Sequence, residues 1–340
     1  MRRPVKYWIV ACLVCLAGLG MINWSFAHAN PPVQADGPVI GGCLVFPANN
    51  IWNRTVTDLP VHAQSNAYIQ SIGAATGLHP DFGSGLWDGG KIGIPYNLVT
   101  GSQAKTPVEF DYADESDAGP YPIPDTPLTE AGSDQHVLVV DTSACVLYEL
   151  YLVRPPSGGL GWQAGSGAIF DLKSNALRPD TWTSADAAGL PILAGLARYE
   201  EVAAGKITHA LRFTVDRSQR AYVWPARHYA SWDTSSDLPP MGMRFRLKAG
   251  FDTSGFPPQA RVVLNALKEY GMIVADNGSS WYITGAPDDR WDNDDLHTLS
   301  AVTGENFEAV EENWLRVDPN SARFWQPSGT PRAWLPLVRR

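Results

Sequence analysis

The first candidates for chemistry are imidazoles set near carboxylates. Six histidines follow residue 29 (His62, His79, His136, His209, His228 and His297), and His136 opens the strand-like run HVLVVD. If that run and CVLYELYLV form a hairpin with Asp141 opposite Ala144, Glu149 falls opposite His136 on the same face, about 5 Å away. A carboxylate so placed raises the proton affinity of the ring and fixes its tautomer, as a general acid or base requires. A slip of one residue would separate the two, and on a solvated face the pair would be merely structural.

The stretch 174–228 holds most of the remaining polar and aromatic groups. It opens with a crowded loop carrying Arg178, Asp180, Trp182, Thr183, Ser184 and Asp186, entered from Asp171 at a strand end. The spacing of 207–228 predicts a hairpin turning at Asp216–Gln219, with His209, Tyr222, Trp224 and His228 on one face and Arg212 on the other. The expected catalytic set is Glu149, His209, His228, Asp171 and His136. Arg178 or Arg212 would bind a uronate or stabilise developing charge, and Trp182, Tyr222 and Trp224 would stack on sugar rings. The alternative is a core face whose histidines are satisfied by hydrogen bonds.

Other patterns narrow the choices. HExxH, GxSxG, phosphate-loop and dinucleotide-loop motifs do not occur. Asp276-Asn277-Gly278 reads as a hairpin turn, with Asp276 at a strand end from which it could project into a cleft. In DDRWDNDDLH the acids lack the order of a calcium loop. Asp292, Asp294 and Asp295 suit a helix start, with Ca²⁺ as the alternative. No other cofactor or metal is expected.

Residues 1–29 read as a secretory signal: Arg2, Arg3 and Lys6, an apolar run of about 15 residues against the ~20 of a membrane span, then Ala27-His28-Ala29. Residues 30–42 form a linker, 43–312 a single globular domain and 313–340 a tail. Losing three basic residues with the signal takes the formal charge from −9 to −12. That acidity, without a basic tract, argues against nucleic acid and, once the signal is cleaved, against a membrane. Cys43 and Cys145 remain, an even pair suited to a disulfide in an oxidising compartment, with two free thiols as the alternative.

Residues 136–172 predict a three-strand antiparallel meander. SNAYIQSIG predicts a helix capped by Ser65, and PPQARVVLNALKEYG a longer one stopped by Gly271. MRFRLKAGF alternates as a half-exposed strand, and MIVAD and WYITG suggest a hairpin. The expected fold is β-rich α+β, an antiparallel β-sandwich or jelly-roll-like core with a few peripheral helices.

HALRFTV, AYVWPARHYAS, PPMGMRFRLKAGF and YGMIVADNGSSW resemble stretches of exported bacterial proteins of unassigned activity. The resemblance spans roughly residues 45–310 and implies no reaction, cofactor or site residue. Thirteen tryptophans and twelve tyrosines give surfaces on which pyranose rings can stack, and equally a large β-core. The expected function is therefore a secreted glycoside hydrolase or polysaccharide lyase acting on an extracellular polysaccharide or oligosaccharide. The alternative is a non-catalytic carbohydrate-binding or cell-surface protein.

Overall fold

A computed structural model describes residues 37–157 and 161–326. The signal at 1–29, most of the 30–42 linker and the end of the tail lie outside the described residues.

Ten strands build the two principal sheets: β1 (His79–Asp81), β2 (Tyr96–Val99), β3 (Val137–Asp141), β4 (Val146–Tyr151), β5 (Ser166–Asp171), β6 (Leu211–Val215), β7 (Arg244–Leu247), β8 (Met272–Asn277), β9 (Tyr282–Thr284) and β10 (Phe307–Val310). The smaller sheet runs β5-β4-β3-β2 and the larger β10-β7-β8-β6-β9-β1. The fold is β-rich α+β. Its pairing is mixed rather than purely antiparallel, since β2/β3, β6/β8 and β9/β1 are parallel.

The meander β3-β4-β5 forms as expected. Its strands are buried on both faces, which explains the near-continuous apolar text of VLVVD. Leu138, Val140 and Leu147 face the main core, whereas Val137, Val139 and Leu150 face a second cluster with Tyr121 and Ile123.

The register differs from expectation by two residues: Asp141 lies opposite Val146 and Glu149 opposite Leu138. The side chain of Asp141 accepts from the amides of Ser143 and Ala144, and Cys145 takes φ 56°, so the turn holds four residues. An even slip keeps His136 and Glu149 on one face, but not opposite one another.

Two expected hairpins are absent. Strand β6 lies between β8 and β9, so those two never pair. The chain after Asp216 does not return along β6, because both edges of β6 are occupied and Pro225 has no amide to offer a ladder. Tyr222 instead bridges Met241 in parallel. Nor is β7 half-exposed. Residues 51–59 cover its second face, where Arg244 is 0% exposed and donates to the carbonyls of Tyr270, Ile51 and Arg54 at 2.9 Å each.

Among the described residues four α-helices flank the sheets: α1 (Ser65–Ile72), α2 (Tyr199–Ala203), α3 (Pro258–Glu269) and α4 (Asn293–His297). α1 begins one residue earlier than expected, with Gln64 at the N-cap, and the Ser65 hydroxyl instead accepts from the Ala309 amide. α3 matches its pattern: Pro258 opens it and Ala260, Val263, Leu264 and Leu267 are buried. Gly271 follows at φ +70°, where a Cβ would meet the Phe245 carbonyl at 2.2 Å. Residues 313–326 pack back onto the body, burying Leu315 and Phe324.

Cys43 and Cys145 form the expected disulfide, with Cα atoms 5.4 Å apart and a sequence separation of 102. It ties the short hairpin of Val39–Ile40 and Cys43–Leu44 to the β3–β4 turn. Replacing both cysteines by serine should lower the unfolding free energy by about 2–5 kcal/mol in urea titrations. No loss would show that the bridge adds nothing to the folded state.

Candidate functional site

Strand alternation sorts the large sheet into an apolar and a polar side. Leu211, Phe213, Val215 and Ile283 point into the core and are 0% exposed. Their neighbours Arg212, Thr214, Tyr282 and Thr284 point the other way. Tyr282 pairs with His79 and Thr284 with Asp81 on β1, which extends the polar side to the sheet edge.

Strand β8 would break this pattern without a bulge. Phe213 pairs with Val274 but Thr214 pairs with Asp276, leaving Ala275 as an extra residue. In an unbroken ladder Ala275 would sit beside Thr214 and Asp276 would face the core. The bulge re-aims Asp276 onto the polar side, and the freed Ala275 carbonyl accepts from the Ala188 amide at 2.9 Å.

This side floors an open cleft of about 820 Å³. Arg212 is buried at its floor. Its Nε and Nη2 donate to the two oxygens of Asp186 at 2.8 and 2.7 Å, and its Nη1 donates to the Thr284 hydroxyl at 2.6 Å. Asp186 belongs to a buried connector, 184–197. Glu149 anchors the connector from the small sheet by accepting the amides of Ile192 and Leu193 at 2.9 Å each. Gly195 lies where a Cβ would come within 2.7 Å of the Arg212 Cβ and amide, so the connector can pass only as glycine.

The opposite wall comes from residues 130–136. His136 Nδ1 lies 2.5 Å from Glu130 Oε2 and Nε2 lies 3.0 Å from the Ala185 carbonyl. Both ring nitrogens face acceptors, which fits an imidazolium. Burial works against that charge, but the hydrogen bond and charge of Glu130 prevail and hold the ring at about 9. Asp134, Trp87 and Lys91 complete the rim.

Burial and the nearby charge of Asp186 push the Asp276 carboxyl up to about 7, against Arg212 and the Asn277 amide. Asp81 is likewise raised, by desolvation first, and desolvation lowers His79. One cleft thus combines a fixed cation, a carboxyl that holds its proton near neutrality and carboxylates across from it.

Of the residues proposed from sequence, the cleft brings together His136, Arg212 and Asp276, the last projecting from its strand end as the sequence allowed. Glu149 is 0% exposed and occupied by the connector, where burial pushes it up to about 7. His209 is also 0% exposed: Nδ1 meets the Ala210 carbonyl at 2.7 Å, and Nε2 meets Arg198 Nη2 at 2.9 Å. Asp171 is exposed and accepts from the Lys173 amide in a turn.

Arg178, Trp182 and His228 gather elsewhere, around Glu115 and Asp117. Arg178 pairs with Asp117 and stacks over Trp182, while His228 Nδ1 meets the Ala187 carbonyl at 3.0 Å. Tyr222 donates to Asp180, and the buried Trp224 donates to the Ser321 carbonyl. None of these lines the cleft.

The chain matches no family model, no curated protein and no solved structure. Among the described residues no three His, Cys, Asp or Glu side chains converge as a metal site. Asp292 caps α4, with Asp294 in its first turn, and Asp295 accepts the Gln259 and Ala260 amides at the start of α3.

Sequence reasoning missed His79, Asp81, Glu130 and Asp134 as cleft residues. The available signal was the polar i, i+2 pair within otherwise apolar text: His79/Asp81, Arg212/Thr214 and Tyr282/Thr284.

Asp186→Asn should strand the Arg212 guanidinium in the core and lower stability by about 3–5 kcal/mol, the usual cost of breaking a buried ion pair. Asp171→Asn, in an exposed turn, should change it by no more than about 0.5 kcal/mol. Equal urea midpoints for the two variants would contradict the anchoring role of Asp186.

Proposed function

We propose that the protein is an extracellular carbohydrate-active enzyme, a glycoside hydrolase or polysaccharide lyase, working in this cleft. The observation that carries the proposal is the bulge-aimed Asp276, a carboxyl raised to about 7 beside the fixed cation Arg212 in an open polar cleft. Such a group can give a proton to a glycosidic oxygen at near-neutral pH. Asp134 supplies the carboxylate on the other wall. Tyr151, raised first by burial and then by Asp134 and Asp276, lies within electrostatic reach of both.

The saccharide assignment rests on the walls. Trp87 is 66% exposed at the rim, and His79 stacks on Tyr282 with centroids 4.0 Å apart, giving flat faces among hydrogen-bonding groups. The Cys43–Cys145 disulfide is compatible with an extracellular site, and no described helix is long and apolar enough to cross a membrane.

Asp276→Asn and Asp134→Asn should each lower turnover about 10²-fold or more. The assay is reducing-end release, or absorbance of unsaturated products, over a polysaccharide panel. Wild-type activity should fall as pH rises past about 7, because Asp276 then loses its proton. Full activity in Asp276→Asn would overturn the assignment, and saccharide binding without turnover would make the protein a binding module.

A further inference from the structure

The charges lining the cleft are unevenly compensated. Each of its two permanent cations is already held by a carboxylate: Arg212 by Asp186, and Lys91 by Asp289 at 2.9 and 3.0 Å. His136 is matched by Glu130. Asp81, Asp134 and Asp276 also line the cleft, and among the described residues none of them forms an ion pair with a cation. The remaining imidazoles of the lining, His79 and His297, form no ion pair either.

A lining with its cations occupied and the Asp81 and Asp134 carboxyl groups unmatched, beside an Asp276 that keeps its proton below about 7, offers an anionic ligand no free cation. It favours one that brings donors and positive charge of its own. We infer that the cleft takes a saccharide bearing ammonium groups, an oligomer of a 2-amino sugar, in preference to a uronate. The inference rests on the cleft being the saccharide site, and it replaces a uronate bound at Arg212, because Asp186 already holds the guanidinium fork. The raised carboxyl of Asp81 is in keeping with it, since a bound ammonium would supply the counter-charge that burial has removed.

Calorimetric titration of the whole protein with three probes tests this: fully deacetylated glucosamine tetramer, its N-acetylated counterpart, and galacturonate tetramer. The titrations are run at about pH 6, below the ~7.7–8.0 at which even a weakly basic α-amino group titrates. The glucosamine tetramer should bind about 10-fold or more tightly than the N-acetylated one, with an affinity that falls as salt is added. Galacturonate should not bind, and Asp81→Asn should narrow the preference for the free amine.

Galacturonate binding as tightly as the glucosamine tetramer would overturn the inference while leaving a saccharide site in place. So would equal affinities for the acetylated and deacetylated probes. Glucosamine binding with the expected preference, but no turnover of any polysaccharide, would support the charge argument and sink the enzymatic reading alone. If none of the three binds, the inference fails, and the saccharide reading is decided by the polysaccharide panel.

Discussion

A buried guanidinium has to be paired, and that requirement at Arg212 governs much of the surrounding architecture. Arg212 lies near the middle of the large sheet, where an unpaired charge would cost several kcal/mol. Its partner Asp186 comes from the connector between the two sheets, and Thr284 from the adjacent strand. Holding Asp186 at that point fixes the path of 184–197. That path in turn brings the Ile192 and Leu193 amides to Glu149 and the Ala185 carbonyl to His136. One ion pair thereby joins the large sheet, the connector and the small sheet.

The same arrangement decides which side of the sheet can do chemistry. Alternation gives β6 one apolar and one polar face, and β9 and β1 continue the polar one. On β8 only the extra residue Ala275 brings Asp276 round to it. The bulge and the ion pair are linked, because the Ala275 carbonyl is satisfied by Ala188, two residues beyond Asp186. Asp276 is therefore aimed into the cleft and desolvated by the elements that bury Arg212.

Features encoded locally were legible in the sequence. The helix at 258–269 shows in its proline start and apolar spacing, the meander in three apolar runs with turns, and the disulfide in the parity of Cys43 and Cys145. The site was not legible in the same way, because its strands meet across distance: Arg212 and Thr284 are 72 residues apart. Nothing in MIVADN announces a bulge at Ala275. The short HPD strand carries a proline and resembles a loop. The Asp141 side chain lengthened a turn that residue counting made shorter, moving Glu149 two places from His136. His209 and Trp224, chosen for their chemistry, are absorbed by the core, where Arg198 and the Ser321 carbonyl satisfy their polar atoms.

The fold turns Asp276 into a proton-holding carboxyl within an open cleft. Its side-chain carboxyl carbon can be followed by ¹³C NMR as a function of pH, with the resonance assigned by its disappearance in Asp276→Asn. A midpoint near 7 is the expected result. Titration in the ordinary aspartate range, about 3.9, would contradict it, since a carboxylate already ionised in mild acid could not serve as the proton donor.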